Sequence, residues 1–159
     1  RERLSHGGGP SGWSRSWVAC LFARLGRGDE AWTHFRALIG DFATVSLLSL
    51  HPPRIFQIDG NLGGAAAVLE MLVHDRCGEL RFLPACPGTW PEGKIKGFRA
   101  VGGMRIDFTW KDKKPVWARI KAEADGIVRI RAKLKGVAAV NGVSSLCMKA
   151  GETCEVVFE

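Results

Sequence analysis

Apolar positions along this chain change their period once, and the change divides it. Trp13, Trp17, Leu21 and Leu25 recur at i, i+4, i+8 and i+12, the repeat of one helix face. Ser11 stands where an N-cap belongs, and Gly26 and Gly28 where a helix ends. Asp29 restarts a helix whose apolar face is Trp32, Phe35, Leu38 and Ile39, so the two helices should fold back as a hairpin. Both stripes, with Cys20 on the first, are expected to face a core. Residues 42–50 are apolar but aperiodic, either helical or irregular. A third helix over 62–74 is apolar nearly all round and should be buried on more than one side. Its one carboxylate, Glu70, then requires a partner such as an Arg, or a place near solvent.

From Glu79 the period becomes two. Short alternating runs such as Met104–Ile106–Phe108–Trp110 are separated by turn signals at Gly102-Gly103, 111–114, Asp125-Gly126, Asn141-Gly142 and Gly151. Strands at about ten-residue spacing argue for an antiparallel β-sandwich. The expected organisation is therefore α + β, with a helical piece over residues 1–88 and a small β domain over 89–159.

Composition changes this picture little. Hydrophobic residues make up 46% and charged residues 25%, the balance of a globular chain. No apolar run reaches the length that crosses a membrane, so no membrane insertion is expected. The net charge of +7 comes from 23 Lys and Arg against 16 Asp and Glu. Such a balance suits nucleic acid, an anionic polysaccharide or a membrane surface. The basic residues are spread along the chain without a nucleic-acid motif, so a solvated basic surface is the expectation and no nucleic-acid partner is assigned. The five Cys show no CxxC spacing, which argues against a structural zinc site and for free thiols. Bridges between Cys147 and Cys154, or Cys77 and Cys86, are open only to an exported chain. The chain begins with Arg1 and is read as the C-terminal portion of a longer polypeptide.

One stretch gathers the candidate chemistry. In His51–Gly64 a His, a Gln, an Asp and an Asn sit among prolines and glycines, just ahead of an apolar helix that Asn61 is placed to cap. Asp59 is thus expected on a stiff loop, where binding and catalytic groups concentrate. An Asp beside a His can serve as a general base. A paired-carboxylate mechanism needs a second carboxylic acid, and no other residue before 84 shares this loop context. His6 lies in a glycine-rich loop and is a candidate ligand contact. Trp13 and Trp17 are expected in the core, with a sugar-stacking platform as the other use of one of them. No Walker loop, HExxH or GxSxG is present.

The order Gly12-Trp13-Ser14-Arg15-Ser16-Trp17, Ala23-Arg24-Leu25-Gly26, His51-Pro52-Pro53, Phe56-Gln57-Ile58-Asp59-Gly60-Asn61, Gly63-Gly64, Leu83-Pro84-Ala85, Trp90-Pro91 and Gly102-Gly103 resembles the C-terminal part of glycoside hydrolase family 95, the 1,2-α-L-fucosidases and related enzymes. The match covers most of residues 3–112; beyond that only the strand pattern agrees. The resemblance implies the last helices of an (α/α)6 barrel followed by a β-sandwich-like domain. It implies inverting hydrolysis of fucosylated glycans without cofactor or metal, in a secreted, periplasmic or cell-surface protein. Asp59 falls on the family's base, which is helped by Asn side chains from an earlier segment. His51 and His6 fall on sugar contacts, and Asn61 belongs to the same motif. The catalytic acid belongs to the upstream part of the polypeptide. This chain departs from the family pattern by carrying Arg54-Ile55 between Pro53 and Phe56, Ser5 before the glycine-loop His, and Pro10 after it. Set against the hydrolase is a non-catalytic glycan-binding or structural β module.

Overall fold

The computed structural model of the chain describes residues 2–76 and 78–159. It divides into two units, one formed by residues up to Leu72 with Pro84–Pro87, the other by Val73–Leu83 with Gly88–Glu159.

The first unit is helical. A one-turn helix α1 (Glu2–Ser5) precedes α2 (Gly12–Arg24) and α3 (Gly28–Asp41). Ser11 caps α2 as expected, its hydroxyl accepting from the Ser14 amide at 3.3 Å. Residues Leu25–Arg27 turn the chain back, so that Phe22 of α2 stacks on His34 of α3 at 5.2 Å. The segment from Phe42 is irregular and closes through a bridge between Ala43 and Ser49. Then β1 (Leu50–His51) pairs antiparallel with β2 (Ile55–Phe56), His51 facing Ile55. Helix α4 (Ile58–Leu72) completes the unit.

The face that α2 buries is not the one its large apolar residues mark. Trp13, Trp17, Leu21 and Leu25 are 46%, 42%, 41% and 69% exposed. Gly12, Ser16, Ala19 and Ala23, at i, i+4, i+7 and i+11, face inward instead. Small side chains let α4 approach α2 closely, which the bulky stripe does not permit. Cys20, expected on a buried face, is half-buried and donates its thiol to the Gly63 carbonyl at 3.6 Å. Burial, then the Glu70 carboxylate, pushes that thiol's pKa up. Glu70 does find its Arg: Arg24 Nε and Nη2 both donate to Oε1, at 3.0 and 2.7 Å.

The second unit is all strand. Its four-stranded sheet has the order β11 (Thr153–Val157), β7 (Lys114–Ala122), β6 (Met104–Lys111), β5 (Gly93–Ala100), antiparallel throughout. Its five-stranded sheet runs β3 (Val73–Arg76), β4 (Glu79–Phe82), β8 (Gly126–Ile130), β10 (Val143–Met148), β9 (Ala139–Val140). Within it β4 and β8 pair parallel, Leu80 with Ile130, which departs from the expected antiparallel pattern. Strands β3 and β4 are a further difference. The pattern continues the helix to residue 74 and divides the chain at 88/89. The helix ends at Leu72, where β-branched Val73 begins an alternating segment. Phe82 of β4 meets the edges of Phe108 of β6 and of Phe158, at 5.0 and 5.1 Å, so the two sheets share side-chain contacts. Burying such a ring stabilises by roughly 1.5–3 kcal/mol. Two hairpins turn as expected: Asp112-Lys113 (φ 52° and 57°) and Asn141-Gly142 (φ 51° and 76°) are two-residue turns with both φ positive.

Cys147 and Cys154 carry free thiols rather than a bridge. The Cys77–Cys86 pairing lies outside the described residues, because Cys77 is not among them.

Candidate active site

Ser11 and Ser14 open α2, and the loop ahead of them brings His6 over the helix N-terminus. His6 Nδ1 lies 2.9 Å from the Glu2 carbonyl. A carbonyl only accepts, so Nδ1 carries a proton, and in the neutral ring Nε2 presents a lone pair. His51 is set the same way, its Nδ1 against the Pro52 carbonyl. Both rings are exposed. Although 45 positions apart in sequence, they line one open concavity of about 450 Å³ with Arg3, Trp13 and Ser14. Trp13 stacks parallel on Trp17, centroids 6.4 Å apart, which makes a flat aromatic surface beside the two imidazoles. The tryptophans expected in the core therefore stand in solvent, and the platform reading is the one their placement fits.

Beneath the loop, Arg15 Nη1 meets His34 Nδ1 at 3.0 Å. Burial first, and the Arg15 charge second, lower the His34 pKa, which keeps the ring neutral as an acceptor. Neither residue stands out in the sequence, since an Arg and a His nineteen positions apart carry no local signal.

Asp59 does not lie on a loop. It occupies the first turn of α4, exposed, and its carboxylate makes no hydrogen bond or ion pair among the described residues. The positive end of the helix favours the anion there. Its link to the concavity is the packing of the two helix starts. A methyl group on either Gly12 or Gly60 would overlap the Ser49 hydroxyl, and a Cβ on Gly60 would stand 3.0 Å from the Gly12 carbonyl carbon. These two glycines let the N-termini of α2 and α4 touch, so the residues beside them, Trp13 and Asp59, begin from neighbouring backbone. Asp59 is not part of the concavity's lining, and that lining contains no carboxylate.

Asn61 departs from its expected place. It lies inside α4 rather than capping it, because the helix starts at Ile58. Its Oδ1 accepts from the Ser49 amide at 2.8 Å and its Nδ2 donates to the Leu47 carbonyl at 2.6 Å. Both ends of the amide thus hold the 44–49 loop, on a separate 170 Å³ cavity lined by Phe35, Leu38 and Val68. Gln57, which the sequence does not single out for a role, has its Oε1 buried without a partner among the described residues. The inserted Arg54-Ile55 makes the hairpin: Ile55 is the cross-strand neighbour of His51.

Comparison with known proteins adds to this geometry. The model of the glycosyl hydrolase family 95 catalytic domain matches residues 1–72, and that of the glycoside hydrolase family 95 C-terminal domain matches residues 75–159. Alpha-L-fucosidase 2 of Arabidopsis thaliana is 37% identical over 140 residues, 80% of this chain and 16% of its own length. Probable alpha-fucosidase A of Aspergillus oryzae is 35% identical over 132 residues, 74% of this chain and 18% of its own. The Aspergillus niger protein of the same name is 28% identical over 148 residues, again 18% of its length. The chain thus spans less than a fifth of the curated relatives it matches. With family models covering both of its units, the chain belongs to glycoside hydrolase family 95.

Proposed function

We propose that this chain contributes the general base and part of the sugar pocket to an α-L-fucosidase that releases 1,2-linked fucose with inversion. The observation that carries the reading is the shared concavity of His6 and His51 beside the Trp13–Trp17 pair, next to the helix start that bears Asp59. In this account Asp59 takes a proton from water as its oxygen bonds to the anomeric carbon. A carboxylic acid from outside this chain protonates the glycosidic oxygen as the old C–O bond breaks. His6 and His51 accept sugar hydroxyls at Nε2, and Trp13 covers an apolar sugar face. Asn61 acts on the site through the loop it holds.

The exposed stripe Trp17, Leu21 and Leu25 supports a place among the final helices of an (α/α)6 barrel, where further helices would cover it. The second unit is read as the β-sandwich domain that follows. The polypeptide carrying this chain and its upstream segment should release fucose from a 1,2-fucosylated oligosaccharide, with proton NMR detecting the β-anomer first. An α-anomer appearing first would refute inversion. A non-catalytic module is the second reading, favoured by the absence of a carboxylate from the concavity's lining. It predicts glycan binding with no fucose release from that longer polypeptide.

A further inference from the structure

The basic residues that look scattered along the chain are gathered by the fold. The second unit holds 16 Lys and Arg against 10 Asp and Glu, and the first holds 7 against 6. Within the second unit the two sheets differ. On the five-stranded sheet Glu79 binds both Arg81 and Arg131, and Ser145 and Cys147 of β10 add neutral exposed positions. The four-stranded sheet presents Met104, Ile106, Phe108 and Trp110 inward, so Arg105, Asp107, Thr109 and Lys111 face outward. Register then fixes the rest of that outer face. Lys121 lies opposite Arg105, and Arg105 opposite Arg99. Lys111 lies opposite Lys114, and Lys94 opposite Thr109.

The result is a row of three cations across three adjacent strands, and a second like-charged pair at the hairpin end. Like charges directly opposite one another destabilise a sheet. The row and the hairpin pair are about 20 Å apart along β6, six residues at the antiparallel rise. Two carboxylates interrupt the face. Asp107 accepts the Gly97 amide at 2.7 Å, and Glu155 is held by Arg119 and by the Trp117 indole. Arg99 reaches Glu123 at the rim. Among the described residues, Lys94, Arg105, Lys111, Lys114 and Lys121 make no ion pair.

We infer that this sheet face docks a polyuronate, a linear polysaccharide with a carboxylate on each sugar. Charge complementarity calls for a polyanion. Cations one strand apart, about 4.8 Å, match a chain in which each pyranose ring advances by a similar length with one charge. Arg105, which makes no ion pair among the described residues, offers a carboxylate a two-pronged donor. Nucleic acid fits less well. A single strand needs free aromatic platforms, and the aromatic ring on this face, Trp117, has the Arg119 guanidinium over it at 5.3 Å. A duplex is read by a helix or ribbon entering a groove, and this face offers neither. The surface lies wholly within the second unit and shares no residue with the lining of the concavity of His6 and His51. It would hold the protein on an acidic polysaccharide irrespective of hydrolysis.

The test is titration of the 159-residue chain with polygalacturonate, beside dextran, heparin, duplex DNA and anionic vesicles at matched salt. Polygalacturonate should bind, with affinity falling as salt rises, and dextran should not. Arg105→Glu with Lys121→Glu should weaken binding about tenfold or more, and Arg105→Gln with Lys121→Gln by a smaller factor. Arg129→Glu, on the five-stranded sheet, should leave affinity within twofold. Circular dichroism should show both pairs of variants folded, and Arg105→Gln with Lys121→Gln, which removes the like-charged row, should melt no lower than the parent. Equal loss in Arg129→Glu, or no loss in the Arg105/Lys121 pairs, would overturn the assignment. So would tighter binding of heparin, DNA or vesicles than of polygalacturonate.

Discussion

Helix α2 of the helical unit and strand β6 of the β unit turn their stripes of large apolar side chains in opposite directions. The helical unit buries glycine, serine and alanine at the contact of α2 with α4, and leaves Trp13, Trp17, Leu21 and Leu25 in solvent. The β unit turns Phe108, Ile106, Ile120 and Ile130 inward until nothing of them is exposed. Their charges differ too, near balance in the first and strongly positive in the second. A unit that closes its own core needs no partner to hide apolar surface. One that exposes a continuous stripe is built to be covered.

The largest effect that tests this contrast belongs to the β core. Phe108→Ala should cost about 3–5 kcal/mol, since Phe82 and Trp110 lose the ring they pack on. Hydrogen exchange should show the protection lost from β6 and β7 and retained in α2 and α4. In the helical unit the sensitive point is a contact too tight for a methyl group. Gly60→Ala should cost about 1–3 kcal/mol through overlap with Ser49. Because the Ser49 hydroxyl is buried without a partner among the described residues, Ser49→Gly should recover part of that loss. Simple additivity of the two changes in urea unfolding would contradict the contact.

Acid should separate the units by a smaller effect. The His34 pKa lies below its ordinary value of 6.5. The unfolded chain therefore takes up its proton first, and the helical unit's stabilisation, complete above 6.5, declines as pH falls below it. In the β unit Glu79 is lowered from 4.5, chiefly by Arg131. Its contribution is complete above 4.5 and is lost only as pH falls further, through the folded pKa. Hydrogen exchange followed from pH 7 to 4 should loosen α2 and α3 before β4 and β8, and His34→Gln should flatten the first decline. The smallest effect is expected on the exposed stripe. Leu25→Ser should change stability by no more than about 0.5 kcal/mol while reducing binding of a hydrophobic dye; a core-sized loss would mean that the stripe is not free.

Sequence pattern reaches some of this and not the rest, for physical reasons. The switch of period from helix to strand is a local signal, as are the Asn141-Gly142 turn and the Ser11 cap. The inward face of α2 was open to misreading, because periodicity marks where apolar residues recur, not which face a neighbour can approach. Gly12, Ser16, Ala19 and Ala23 keep the same helical beat as Trp13, Trp17, Leu21 and Leu25. Strands β3 and β4 are four residues each, and the parallel pairing of β4 with β8 joins segments some fifty positions apart. Asp59 and His51 stand out as a motif, yet their relation to His6 rests on two glycines and Ser49. Every second residue on three strands makes the cationic face, so no run of charge announces it.

Asp59 as the water-activating base is the central claim, and replacing its carboxylate tests it most directly. In the polypeptide that joins this chain to its upstream segment, Asp59→Asn should lower the rate of fucose release about 10²–10⁴-fold, with circular dichroism and KM little changed. Fucose release at the parent rate would contradict the account.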